Sequence, residues 1–302
     1  MQLQQSNPAL VMAPPATKPR ARRWGRLQKR LLIRLLVVLV IIAICLAAPL
    51  LTPFDPEQQQ ITARLKPAGT ELADGNIALL GTDQLGRDIL TRILYGGRIS
   101  LLISFSGVIL AAGIGITLGL LAGYFGGSVD TTISRMVDIT LGFPGLLLAI
   151  TLAAALGPGI LNVIIALGIA RWTTYARMVR GEVLALQKEE FLQAARVIGV
   201  DDLRIILRHI LPNTLSSIIV IAALHLGQMI LAESSLSFIG LGVQPPTPSW
   251  GDMVNKGREY ITSAWWLIAY PGFAITITVL AFGMLGDAVR DILDPHMRTR
   301  SE

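Results

Sequence analysis

Six stretches of this chain are long, apolar and almost free of charge, and they constrain the fold more than any motif does. Residues 99–123, 139–157 and 264–286 hold no charged side chain. Residues 213–232 carry polar groups, His225 and Gln228 among them, but otherwise stay apolar. Residues 31–51 are interrupted by Arg34 near the start, where a long side chain can reach the headgroups. Residues 159–176 enclose Arg171 and form the weakest of the six. A bilayer core is crossed by about 20 apolar residues at 1.5 Å each, so the pattern predicts an all-α integral membrane protein with six transmembrane helices. Charged residues make up 15% of the chain, against about 25% in a soluble domain.

The remaining charge lies beside these stretches and orients them. Six crossings leave both termini on one side, and the cation-rich side of a membrane protein is the cytoplasm. With the termini inside, so are Lys18, Arg20, Arg22, Arg23, Arg26, Lys29 and Arg30, the loop carrying Arg177, Arg180, Lys188, Arg196, Arg204 and Arg208, and the C-terminal Arg290, Arg298 and Arg300. Outside remain Arg64, Lys66, Arg87, Arg92, Arg98, Lys256 and Arg258, a smaller set. The net charge of +6 is therefore an orientation signal rather than a nucleic-acid surface. Cys45 is the one cysteine and sits inside the first stretch, so it forms no intrachain disulfide and no metal-ligand set is expected. The chain divides into a basic disordered cytoplasmic tail (1–30), a first membrane anchor (31–51), an extracytoplasmic segment (52–96), a membrane domain (97–287) and a second cytoplasmic tail (288–302). The anchor's apolar run exceeds the 7–15 residues of a cleaved signal, so it is expected to stay.

Several positions predict how the helices meet. Gly107, Ala111, Gly115, Gly119 and Gly123 recur every four residues, forming a stripe that lets another backbone approach. His225 and Gln228 share a helix face at mid-span. They line either a translocation path or an interhelical hydrogen bond. Asp83, Arg87 and Asp88 flank Gly86 in what reads as a polar turn with surface ion pairs, each worth about 0–1 kcal/mol. Trp250, Trp265 and Trp266 are placed as anchors at the membrane interface. Pro245, Pro246 and Pro248 favour an extended loop.

The segment 189–212, EEFLQAARVIGVDDLRIILRHILP, is too polar to span yet has helical periodicity. Gly199 offers a left-handed cap to a first short helix. Asp201 offers an N-cap to a second, over 202–211, and Pro212 is expected to reset the chain before the next span. The small Ala194 and Ala195 would let the first helix sink into a groove on another protein. Both ends of the segment are tied to membrane helices, so force applied here would tilt them.

The run QAARVIG followed by HILP resembles the EAA motif of ABC-importer permeases, with Gln193 in place of the first Glu and His209 in place of an Ile. Four further segments resemble the second permease subunit of the dipeptide/oligopeptide/nickel family: LLGTDQLGRDILTRILYGGRISL, AGYFGGSVDTTISRMVDITLGFPGLLLA, LSFIGLGVQPPTPSWG and LGDAVRDILDP. The resemblance implies a type I ABC-importer permease fold over 97–287, with a cytoplasmic coupling helix in 189–212. It places contacts to an ATPase subunit at Glu190, Gln193, Ala194, Ala195, Gly199, Arg204 and Pro212. It also implies a second permease subunit as heterodimer partner, two ATPase domains carrying ATP and magnesium, an extracytoplasmic substrate-binding protein, and residence in a bacterial inner membrane. The outer loops would either dock that binding protein or cap the pore.

No G-x-x-x-x-G-K-[ST] occurs in the sequence, so the chain has no P-loop and the energy must come from another polypeptide. No cofactor of its own and no catalytic residue is expected. The competing class, an ion-coupled secondary transporter or channel, would need an intramembrane ionisable network. Only His225, Glu233 and Arg171 offer themselves. An intramembrane hydrolase would need a nucleophile beside a base, and Ser216 and Ser217 lie about two turns from His225.

Overall fold

A computed structural model of the chain describes residues 20–72 and 75–293, with side chains from residue 28 onward. Of the tail expected to be disordered over 1–30, residues 1–19 lie outside the described residues, as does the end of the second tail at 294–302. Residues 20–30 are helical and correct that expectation, because the first turns of α1 run on continuously into the apolar stretch. The rest is mostly helical: α1 (Arg20–Leu46), α2 (Ala48–Leu51), α3 (Ile89–Phe125), α4 (Gly127–Leu141), α5 (Gly145–Leu156), α6 (Ile160–Leu186), α7 (Glu190–Val197), α8 (Asp202–Ile205), α9 (Leu211–Phe238), α10 (Trp250–Gly257) and α11 (Trp266–Leu293). A two-residue antiparallel ladder, β1 (Thr70–Glu71) with β2 (Ile77–Ala78), pins the loop before α3.

Three units cross a membrane on length and apolarity alone: α3, the run Asp202–Phe238, and α11. The α4–α5 pair makes a fourth, bent by 90°. In α1 the apolar part begins only at Leu31 and the helix breaks at Ala47 before α2 resumes it. In α6 the length is sufficient, at 27 residues, but Arg171, Arg177, Arg180 and Glu182 interrupt the apolar run.

Three expected boundaries are corrected. The third stretch is not one straight helix over 139–157, because Phe143 precedes Pro144 and a residue before proline is pushed out of the α region. Pro144 instead caps α5, whose 12 residues rise only about 18 Å. The second stretch starts ten residues earlier than its apolar run. Asp88 caps α3 there, its Oδ2 accepting bonds from the Thr91 amide and hydroxyl, both at 2.7 Å. Pro212 does not reset the chain. A π-turn over Ile206–Ile210 has already shifted the backbone bonding, so Pro212 enters the first turn of α9 without breaking it.

The scaffold rests on α3 against α6, the most extensive helix contact in the molecule. A Cβ added to Gly119 would lie 2.7 Å from the Ala176 carbonyl oxygen, and one on Gly123 would lie 2.7 Å from the Val183 Cβ. At Gly115 it would collide with the Trp172 carbonyl. From the other side, Gly168 admits Leu110 in the same way. The four-residue stripe is thus the seam of the fold, and Met229 and Leu167 close its upper end over Gly107. Around this seam Ile103, Ala111, Ala149, Val163, Tyr175 and Leu236 form the largest buried cluster. Helix α11 packs on α9, and α1 lies across α11 and α3. Outward-facing Leu36, Ile109, Leu161, Phe273 and Leu280 remain exposed, as expected of a surface solvated by lipid or a partner helix.

Gly113, with nothing within 4 Å of its added Cβ, provides the matched control for this seam. Gly119→Leu is expected to destabilise the detergent-solubilised protein by about 3 kcal/mol through overpacking. Gly113→Leu is expected to change stability by no more than about 0.5 kcal/mol. Thermal unfolding of the two variants side by side checks this.

Candidate functional site

The loop between α6 and α9 folds onto one end of α3. Helix α7 ends in two bonds typical of a left-handed glycine cap: Gly199 (φ +76°) donates to the Arg196 carbonyl at 3.0 Å, and Val200 to Ala195 at 3.1 Å. Asp201 takes the N-cap position of α8, as its place in the sequence predicts, but its side chain makes no capping bond. The neighbouring Asp202 is used instead, accepting from the Tyr124 hydroxyl at 2.5 Å. The Arg196 guanidinium stacks 5.1 Å above the same tyrosine ring. Gln187 donates to the carbonyls of Gly123 and Tyr124, at 2.5 and 3.0 Å. These bonds tie the loop to the last turn of α3, while Leu192, Ala195, Ile205, Ile206 and Ile210 bury against Leu120, Val179 and Val183 beneath it.

The loop therefore has an inner and an outer face, and the two alanines fall on opposite ones. Ala195 is buried in its own chain, so it does not sink into a partner. Ala194 is exposed, together with Glu190, Gln193, Gly199, Arg204 and Pro212. Gln193 bonds back to the Lys188 carbonyl at 3.2 Å. The outer face also carries Phe191, Val197 (86% exposed), Ile198 (78% exposed), Leu203 and Leu207. These side chains make an exposed apolar group on an otherwise polar loop, of the kind that marks protein or membrane interaction surfaces in general.

At the other end of α3, about 54 Å away along the helix, Asp83, Gly86, Arg87 and Asp88 come together, and here the expected surface pairs are corrected. Asp83 is 5% exposed and Arg87 3%. Asp83 Oδ2 accepts from Arg87 Nε at 2.7 Å, and its Oδ1 from the amides of Leu85 and Arg87 at 2.8 and 3.0 Å. Arg92, also buried, reaches Asp83 at 3.5 Å and donates to the Pro56 carbonyl at 2.8 Å. Gly86 adopts φ +74°, and a Cβ there would strike the Gln60 carbonyl. Thr82 completes the knot by donating to the Ala63 carbonyl. Burial pushes the Asp88 carboxyl above its ordinary range, the bonds from Thr91 opposing it and the Asp83 charge adding to it. The cluster ties the segment before α3 to the first turn of that helix.

Trp250 is corrected as well. It is a core residue rather than an interface anchor, with its indole N–H on the Ile93 carbonyl at 2.8 Å and its ring filling the space beside Gly97. Trp265 stays exposed, and Trp266 packs beside Ala264 and Leu267.

Between the two ends, at mid-span, His225 is buried edge-on against Tyr175, with ring centroids 5.2 Å apart. Gln228 is exposed and its Oε1 accepts from Arg171 Nη1 at 3.3 Å. His225 is thus buried and Gln228 exposed, and the interhelical bond belongs to Gln228 rather than to His225.

Residues 115–299 of the chain match the family described as binding-protein-dependent transport system inner membrane component. The chain belongs to that family. Residues 26–68 match the N-terminal transmembrane domain of oligopeptide transport permease C. The chain is 46% identical over 252 residues to the dipeptide transport system permease protein DppC of Alkalihalophilus pseudofirmus, covering 83% of this chain and 81% of that one. It is 42% identical to the di/tripeptide permease DppC of Pseudomonas aeruginosa, covering 83% of each. It is 46% identical to the glutathione permease GsiD of Pectobacterium atrosepticum, covering 73% of each. Among solved structures, an inward-facing MetNI methionine ABC transporter superposes with a TM-score of 0.54 at 17% identity, covering 68% of this chain and 97% of that chain. At that identity the match speaks for the fold alone. The protein is thus the permease subunit of an ABC importer, a transport component of a membrane assembly.

Sequence reasoning missed Arg92, Tyr124 and Arg196. Arg92 stands one turn inside α3 after the Asp88 cap, a place where a lone cation beside two acids signals pairing. Tyr124 had no such signal, because its partners lie 72 and 78 residues away. Replacing Asp83 by Asn leaves Arg87 and Arg92 buried without their acid and is expected to cost about 3 kcal/mol. The exposed Glu71→Gln is expected to be neutral, and thermal melts of both variants test the contrast.

Proposed function

We propose that this permease, paired with a second and different permease subunit, forms the path by which small peptides released from an extracytoplasmic binding protein enter the cytoplasm. The names of the relatives, which carry dipeptides, tripeptides and glutathione, support peptides as the cargo class. Both termini and the 189–212 loop face the cytoplasm, as the cation bias supports. Two ATPase domains bind ATP and magnesium, and the permease itself carries out no covalent chemistry. The outer end of α3, with its buried Asp83–Arg87–Arg92 knot, gives the binding protein a firm surface on which to release cargo.

The observation that carries this reading is the two-faced loop. Its inner face is welded to α3, α6 and α9 through Tyr124, Leu192 and Ala195. Its outer face presents Phe191, Ala194, Val197 and Ile198 to something else. Closure of the ATPase pair would push that outer face, and the weld would pass the movement to both membrane helices. Switching between inward- and outward-open states is then a shift between two packings of the same helices. Mid-span, Gln228 and the neighbouring His225 stand on the face that the cargo passes.

Val197→Asp places a charge on the outer face without touching the inner one. The complete transporter carrying it is expected to lose at least about ten-fold in ATP-driven uptake, as loss of a central contact costs, while the permease still inserts and unfolds normally. Undiminished uptake, with the ATPase still co-purifying, would remove the coupling role from this surface.

A further inference from the structure

Arg171 is a cation at the centre of a membrane helix, the twelfth of the 27 residues of α6. Such a charge is costly in lipid and faces a bundle interior or water. Among the described residues it pairs with no carboxylate. One bond, from Nη1 to Gln228 Oε1 at 3.3 Å, engages it. A guanidinium offers five N–H donors in a planar fork, so most of its capacity is unspent. The acids of the two helices around it do not neutralise it. Glu233 of α9 is fully enclosed and held by Ser237 at 2.8 Å and Ser234 at 3.5 Å. Glu182 lies eleven residues further along α6, about 16 Å away.

Two more polar atoms on the same two helices, within four residues of Arg171 or Gln228 along the chain, stand without partners. The Tyr175 hydroxyl and His225 Nδ1 are both buried and unbonded, although their rings touch edge to face. Orphaned buried polar groups are rare and call for a reason. Gln228, through which the fork is held, is exposed in this chain. The arrangement is therefore a half-buried guanidinium at mid-membrane, held through one N–H by an exposed amide, with donors to spare. Its chemistry matches a carboxylate taken side-on by two parallel N–H···O bonds.

We infer that Arg171, positioned by Gln228, binds the C-terminal carboxylate of the passing peptide and sets the preference of the path for peptides with a free acid end. This rests on the peptide-import reading above. The fork needs to hold its ligand only weakly, since a path residue that bound tightly would stop transport. The Gln228 bond holds the guanidinium through one N–H between passages.

The test uses the complete transporter in proteoliposomes, with binding protein saturated by the dipeptide alanylalanine or by its C-terminal amide. For each substrate, uptake by Arg171→Gln is divided by uptake of the wild type, so the selectivity of the binding protein cancels. The ratio is expected to fall about ten-fold for the free acid and to stay near one for the amide, with ATPase activity retained. Equal loss of both substrates would mean that Arg171 serves an ion pair with the other permease and would overturn the inference. So would undiminished uptake of both. If Arg171→Gln fails to assemble, Arg171→Lys decides, because a point charge without the fork must still favour the acid over the amide. Loss of that preference in an assembled Arg171→Lys transporter overturns the assignment. Absence of ATP-driven uptake of either substrate by the wild type would instead defeat the peptide reading, and the role of Arg171 with it.

Discussion

Everything positioned in this molecule is positioned by the close approach of α3 and α6. Two helices separated by ordinary side chains would stand further apart, and the glycines at 115, 119 and 123 remove that spacing so that backbone meets backbone. In a bilayer, where lipid tails compete with any apolar side chain, this dispersion contact is the main attraction available. Its consequences reach both ends. The α6 residues Val179 and Val183 are drawn against α3 and become the floor on which the loop helices sit. Tyr175, whose Cβ lines the close approach at Gly115, is set where its ring meets His225 edge to face.

The polar residues then sort by what they cost. At one end of α3 the Asp83–Arg87–Arg92 set is buried, and it survives because Asp83 partners both arginines while backbone amides bond Asp83 and the Pro56 carbonyl bonds Arg92. At the other end the polar bonds of Tyr124, Asp202 and Gln187 are local ties between loop and helix. The mid-span group differs from both. Arg171, Tyr175 and His225 are left with unused donors and acceptors at mid-span.

How much was legible follows from the range of each interaction. The four-residue glycine stripe and the left-handed Gly199 are local patterns, and each is found where the residues place it, whereas the apolar runs and the second loop helix are found with shifted or broken bounds. Errors arose where a local rule met a distant partner. Pro212 reads as a break, yet the π-turn before it absorbs the missing N–H. Ala194 and Ala195 read as one small surface, yet a helix of eight residues has two sides and its own chain claims one of them. Asp83 and Arg87 read as a solvated pair because nothing near them in sequence announces that residues 56–63 will cover them. Trp250 reads as an anchor for the same reason, its place against Ile93 and Gly97 being some 150 residues distant along the chain.

By itself the sequence determined that the chain lives in a membrane, where its helices start to be apolar, which helix face would pack most tightly, and which loop folds as two short helices outside the apolar runs. These are consequences of side-chain hydrophobicity and of backbone rules that act within a few residues. Tertiary structure alone decided which face of α7 is free, that the acidic and basic residues before α3 form a buried knot, and that Arg171 meets Gln228 57 residues away. Those outcomes depend on which surfaces the α3–α6 seam brings within bonding distance, and no local pattern carries that information.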